Sequence, residues 1–344
     1  MKKQFVFLML LGFVLISFTG SETSLFVVPE NWPAPSYDFS KNPLSIPKIE
    51  LGRALFYEPL LSHNDSVSCS NCHSPFTAFA HVDHALSHGI DNRMGKRNAP
   101  ALMNLAWQKL FMWDGAINHL DQQPLAPISN ADEMNEDIGN VVHKLQRSKL
   151  YPGLFQKAFG DSLITGEHLL KAISQFMLTV ISSNAKYDSV MRKQSLFTDQ
   201  EANGYKLFQN NCAECHREPL FTNLQFENNG LSVDTTLNDL GRMAVTKNPA
   251  DSLRFLVPSL RNIEFSYPYM HDGRFKTISD VLMHYTSGIQ KNKTLSKPLL
   301  KPIVLSSNEK VDLTAFLLTL TDKHFLFDPR FSYPKYIFYP SIQN

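Results

Sequence analysis

The sequence predicts a mainly α-helical protein of two similar halves joined by long loops, and three observations carry that expectation. All four cysteines fall in two copies of one five-residue pattern, Cys69-Ser-Asn-Cys72-His73 and Cys212-Ala-Glu-Cys215-His216. Each copy is preceded by the same short phrase, Gly52-x-x-Leu55-Phe56 in the first half and Gly204-x-x-Leu207-Phe208 in the second. Elsewhere apolar residues recur at three- and four-residue steps, with no run of alternating strands, no glycine-rich phosphate loop and no low-complexity tract.

Cys-x-x-Cys-His is the attachment sequence of a c-type haem. Its two thiols add to the porphyrin vinyl groups, and the imidazole that follows reaches the iron from one face. Paired Cys-x-x-Cys motifs also build zinc ribbons, but those pairs sit about 15–20 residues apart, whereas these lie in opposite halves of the chain. A thioredoxin-type site or a structural disulfide would need neither His73 nor His216. The expectation is two covalently bound c-type haems.

Along the chain, Lys2 and Lys3 precede an apolar run from Phe5 to Ile16 and small or polar residues around Thr19, Gly20 and Ser21. That layout reads as a secretory signal peptide over residues 1–21, with a retained anchor as the alternative. Covalent haem attachment normally occurs beyond the bacterial cytoplasmic membrane, so the expected location is periplasmic. The remainder, about 320 residues, suits two domains, 22–185 and 186–344. A formal net charge of +1 lacks the basic excess of nucleic-acid or acidic-membrane binders.

In the first domain a helix ending at Leu55-Phe56 feeds the cysteines after an insertion, Tyr57 to Ser68. Ser74 to Leu120 follows as a long loop rich in His, Asn, Gly and aromatics, of a length that tends to be functional. From Leu169 the positions Ala172, Ile173, Phe176, Met177 and Val180 mark an amphipathic helix. Ser182 to Gln194 is the linker candidate. In the second domain Thr198-x-x-Glu201 and Ser306-x-x-Glu309 read as capping boxes opening two helices. The later helix offers Val311, Phe316, Leu317 and Leu320 for burial. The aromatic tail, Phe325 to Tyr339, is left open: it could cover a domain, a neighbour or nothing.

Two stretches then narrow the reading. Gly95-Lys-Arg-Asn98-Ala-Pro100, Trp113-Asp114-Gly115, Leu120-Asp-Gln-Gln123, Pro127-Ile128 and Glu133-Met134 form the first. Leu260-Arg261-Asn262-Ile263 and Pro268-Tyr269-Met270-His271-Asp272-Gly273-Arg274 form the second. In this order and spacing the chain resembles bacterial dihaem cytochrome c peroxidases and their MauG relatives over nearly its whole mature length. The resemblance implies two cytochrome c-like domains with one haem each. The haem on Cys69, Cys72 and His73 would react with hydrogen peroxide; the one on Cys212, Cys215 and His216 would receive electrons.

The same resemblance assigns residues. Glu133 matches a distal carboxylate suited to general acid/base work, with a solvated loop carboxylate as the plain alternative. Gln123 matches a distal amide that orients peroxide without titrating. His88 matches a displaceable sixth ligand, and His81 and His84 compete with it for that role. Trp113 matches the tryptophan between the haems, although packing alone would account for it. Tyr285 stands where many of these peroxidases carry a methionine ligand to the second haem, a feature of the MauG branch. A phenolate there would stabilise the more oxidised iron. Met283 and Met270 are the competing ligands. Asn98, Ser266 and Pro268 match the family's calcium site, which uses an Asn side chain and backbone carbonyls.

Three functions follow. The leading one is a peroxidase reducing hydrogen peroxide with electrons from a small periplasmic donor of cytochrome c or cupredoxin type. The second is a MauG-like oxidase that modifies aromatic side chains of a partner protein. The third is a plain dihaem electron carrier. The resemblance further implies a homodimer, which no surface feature of the sequence shows.

Overall fold

The computed structural model describes residues 25–339; the segment read as a signal peptide, 1–21, lies outside them. Among the described residues no helix is long and apolar enough to cross a membrane. The architecture is helical, as predicted, with one two-residue antiparallel pair, β1 (Phe226–Glu227) and β2 (Phe255–Leu256).

Each half is built on one crossing of two helices. In the first, α1 (Ile46–Phe56) packs on α2 (Gly166–Thr179); in the second, α4 (Asp199–Asn211) packs on α6 (Ser307–Leu318). The repeated glycine explains the contact. A Cβ on Gly52 would lie 1.8 Å from the Ala172 carbonyl oxygen, and one on Gly204 would lie 1.9 Å from that of Asp312. Backbone therefore meets backbone at both crossings, and only glycine allows it. The phenylalanines that follow pair in the same way, Phe56 with Phe176 at 5.2 Å and Phe208 with Phe316 at 5.1 Å.

The helix starts follow the chemistry read from the sequence. Thr198 N donates to Glu201 Oε2 at 2.7 Å while Glu201 N donates to Thr198 Oγ1 at 3.2 Å. Ser306 and Glu309 exchange the same pair of bonds, at 2.7 and 3.3 Å. Every apolar position named on α2 is buried. On α6 the expectation for Val311 fails: it is 56 % exposed, and Leu313 takes the inward place beside Phe316 and Leu317. Leu313 lies three and four residues before them, on the same helix face, whereas Val311 does not.

One further expectation changes, and one open question closes. The stretch 182–194 is not an exposed linker. It contains α3 (Lys186–Met191), whose Tyr187 and Asp188 are buried. Asp188 receives a bidentate pair from the fully buried Arg261, at 2.8 and 2.9 Å, which ties this stretch to the second core. The aromatic tail covers the first core, placing Phe325, Phe331 and Ile337 in it. Arg53 holds the tail there, donating to Ser332 O at 2.7 and 2.8 Å and to Pro329 O at 2.8 Å.

Because the α4–α6 crossing leaves no room, Gly204→Ala should cost about 1–3 kcal/mol, the usual price of overpacking. Gly153→Ala, where nothing lies within 4 Å of the added Cβ, should be neutral or mildly stabilising. Calorimetric melting of the two variants reads the difference; equal midpoints would contradict the crossing.

Candidate functional site

Each Cys-x-x-Cys-His motif follows a crossing helix and turns back on itself. In the first, His73 N donates to Cys69 O at 2.9 Å; in the second, His216 N donates to Cys212 O at 2.9 Å. The imidazoles are oriented alike. His73 Nδ1–H donates to Phe79 O at 2.8 Å, and His216 Nδ1–H donates to Phe221 O at 3.1 Å. That bond selects the tautomer and leaves each Nε2 lone pair for a metal. Burial pushes His73 down to about 4 and lowers His216 as well, so both rings are neutral. All four thiols are unpaired. Two free thiols, a neutral imidazole and an adjoining, mainly apolar cavity are what a covalently held haem requires, and both motifs fit.

A cavity of about 50 Å³ adjoins the first motif, lined by Cys69, Cys72, His73, His88, Gln123 and Glu133. The three distal residues expected from the sequence thus meet at one histidine. Burial raises the Glu133 carboxyl above the usual carboxylate range; the Asn130 amide, donating to Oε1 at 2.7 Å, pulls it partly back. Gln123 Nε2 donates only to Met112 Sδ at 3.8 Å, a weak contact easily exchanged.

His88 lies on a tight loop closed by Gly89 N to Arg93 O (2.8 Å) and Gly95 N to Ser87 O (2.9 Å). Ile90 N donates to Glu133 O at 2.8 Å, and a Cβ on Gly89 would fall 2.2 Å from Asp132 O. The loop therefore packs against the backbone of Asp132 and Glu133. His88 Nδ1–H donates to Asn92 Oδ1 at 2.7 Å. His84 stacks on the outer side, 4.4 Å between ring centroids, and His81 beyond it, at 5.6 Å. Of the three histidines, His88 is the one that lines the cavity.

A larger cavity, about 300 Å³, adjoins the second motif and is lined by Cys212, Cys215, His216, Met270 and Tyr285. It extends to Trp113 and Gln123, so Gln123 borders both cavities. Tyr285 sits in a π-helical turn, His284–Gly288, that continues α5 (Ile278–Met283), a feature frequent at functional sites. Burial pushes its phenol well above the ordinary range, and the Asn229 side chain draws it partly back. Met283, two residues earlier, is 54 % exposed and does not line the cavity. Met270 does, with its Sδ accepting from Asn229 Nδ2 at 3.3 Å.

Trp113 bridges the halves: its Nε1 donates to Asn98 O at 2.8 Å, and Asn98 N donates to His271 O at 2.7 Å. Asn98, Ser266 and Pro268 all line the larger cavity. The Asn98 amide donates to Ala85 O at 3.0 Å, leaving Oδ1 for another partner. Among the described residues no cluster of three His, Cys, Asp or Glu could hold a metal ion, so a cation here would rest on neutral oxygens, a set that suits calcium.

Sequence reasoning missed two groups. Arg97 clamps the halves, bidentate to Asp239 at 2.6 and 2.9 Å and bonded to Asp114 at 2.7 Å. It was legible as part of a motif but not as an ion pair, because Asp239 is remote in the chain. Asn229, beside Tyr285 and Met270, lies in an Asn-Asn-Gly phrase that reads as an ordinary turn.

A family model described as di-haem cytochrome c peroxidase matches residues 47–196, and one described as cytochrome c matches residues 201–321. The chain is 36 % identical over 304 residues to the methylamine utilization protein MauG of Methylorubrum extorquens, covering 85 % of this chain and 82 % of that protein. It is 34 % identical to the cytochrome c551 peroxidase of Nitrosomonas europaea, covering 79 % of each. Among solved structures, a MauG-like protein associated with microbial copper homeostasis superposes with a TM-score of 0.81 at 31 % identity, covering 89 % of this chain and 98 % of that one.

If each motif binds its own cofactor, Cys212→Ala/Cys215→Ala should yield mature protein with one covalent haem where wild type has two. Intact mass spectrometry distinguishes one, two or none.

Proposed function

The chain belongs to the di-haem cytochrome c peroxidase family, and from that premise we propose that it reduces hydrogen peroxide to water in the cavity beside His73. The observation that carries this reading is the convergence of Glu133, Gln123 and His88 on that one cavity. A haem held by Cys69, Cys72 and His73 would supply the redox chemistry and an open position for the oxidant. The chain's own residues do the rest. Glu133 takes the proton from one peroxide oxygen and delivers it to the other, which must leave as water. Its raised affinity for protons suits it to hold that proton between the two events. Gln123 orients the peroxide by hydrogen bonding. His88 guards the position until its loop moves.

Electrons enter at the second motif, from a small periplasmic donor of cytochrome c or cupredoxin type, and pass the Trp113 indole between the halves. Export through residues 1–21, a calcium ion on Asn98, Ser266 and Pro268, and a homodimer belong to the same proposal. A MauG-like reading, in which peroxide drives modification of a partner protein, is favoured by one observation: Tyr285 faces the larger cavity and Met283 does not.

Glu133→Gln should lower kcat/KM for peroxide by about 10²–10⁴-fold, the range for a lost general acid/base. Glu133 must be ionised to accept the first proton. Wild-type kcat/KM should therefore fall as pH drops through a value above the ordinary ~4.3 of a Glu side chain, and this limb should be absent in the variant. An unchanged profile would remove Glu133 from the mechanism. For the second site, Tyr285→Phe should alter the low-spin electron paramagnetic resonance signal of the oxidised protein while Met270→Leu should not; the reverse result would make Met270 the ligand and favour the plain peroxidase.

A further inference from the structure

The loop 289–304 crosses the rim of the larger cavity and carries Lys291, Lys293, Lys297 and Lys301 without one carboxylate. Its Pro298, Leu299 and Ile303 line the cavity. The four lysines face solvent together with Leu300 and Val304, which are 58 and 83 % exposed. Among the described residues the lysine ion pairs belong to Lys144, Lys171 and Lys186, none to these four. Asp280 and Glu309 on the neighbouring helices are engaged in capping. Glu214 and Glu227 also line the cavity, and Glu227 accepts from the loop's own Ser296. The rim stays net positive, in a chain whose formal net charge is only +1.

This loop is not held loosely. The buried Asn228 donates through Nδ2 to Asn292 Oδ1 at 2.9 Å and to Thr294 Oγ1 at 2.8 Å. Asn228 N donates to Ser296 Oγ at 2.9 Å, Ser296 N returns a bond to Asn228 O at 3.1 Å, and Gln290 N donates to Gly230 O at 2.7 Å. Capping a cavity needs only the apolar residues on the inward side. Four like charges kept close together on the outward side repel one another, and an anionic surface would offset that repulsion.

We propose that this lysine loop is the docking face for the electron donor, and that the donor carries an acidic surface around its own redox centre. The inference rests on the peroxidase reading and adds the partner's chemistry to it. Exposed Leu300 and Val304 supply the small apolar contact at the centre, and the lysine ring supplies steering and register. Each encounter passes one electron to the second site. Two reduced donors are oxidised for each hydrogen peroxide, which takes up two protons and leaves as two waters. Asn228 anchors the loop and its neighbour Asn229 contacts Met270 and Tyr285, so the docking face is one residue from the second site's inner wall.

The test uses the full protein carrying both haems. Peroxide turnover is measured with two soluble one-electron carriers of similar potential, one acidic and one basic, and with uncharged hydroquinone. The acidic carrier should give the higher kcat/KM, falling steeply as salt is raised. Reversing the loop charge (K291E, K293E, K297E, K301E) should cut that kcat/KM about tenfold or more, with the spectra of both haems retained. Preference for the basic carrier, or rates indifferent to salt and to the reversal, would overturn the proposal. So would loss of phosphatidylglycerol-vesicle binding in the variant without change in donor kinetics, which would make the face a membrane contact. Absence of wild-type turnover with hydroquinone would instead sink the peroxidase reading itself.

Discussion

Both haem sites depend on one hydrogen bond made twice, from a histidine Nδ1–H to the backbone carbonyl of a phenylalanine five or six residues on. The bond requires the chain to reverse, and both Phe79 and Phe221 adopt positive φ, 59° and 56°, to present the carbonyl. A non-glycine residue held there costs about 1–3 kcal/mol. Both rings are fully buried, and burying a phenylalanine returns about 1.5–3 kcal/mol. The two quantities are comparable, so the strained turn persists only where the core accepts that ring. The bond fixes which nitrogen carries the proton, and a second backbone carbonyl beside each ring, Pro100 or Pro258, helps to hold the imidazole.

The core that accepts each ring is the helix crossing. Phe79 packs against Phe56 and Phe176; Phe221 packs against Phe208 and Phe316. The glycine contact, the phenylalanine pair and the histidine are therefore one connected device, present in each half. The halves diverge in what covers them. The first core is completed by the C-terminal tail, whose Phe325 and Phe331 reach Phe79 itself. Residues from the far end of the chain thus stabilise the turn that aims the first histidine.

Much of this device was legible because it is local. The motif, the repeated glycine phrase and the two capping boxes each rest on residues within a few positions of one another. The distal trio was legible only through family resemblance: Glu133 beside Asp132 and Asn130 looks like solvated loop, and only the fold carries it to His73. What could not be read depends on remote pairs. Arg97 with Asp239 and Arg261 with Asp188 join positions far apart in the chain, and polarity alone made 182–194 resemble a linker. Val311 fails for a different reason, since apolar character alone does not specify a helix face.

The second cavity shows how such hidden partners bear on chemistry. Met270 and Tyr285, the two competing ligands named from the sequence that line this cavity, differ in what they would give up. The Met270 sulfur already accepts the Asn229 amide at 3.3 Å, and using it as a ligand would mean giving up that bond. Tyr285 carries the opposite balance. Burial opposes its ionisation, and the Asn229 amide only partly relieves this, so a phenolate becomes favourable only with a positive charge alongside. A ferric centre would be such a charge, and the π-helical turn carries Tyr285 to the cavity lining while Met283 stays outside it. One asparagine thus engages the sulfur and partly offsets the cost of ionising the phenol.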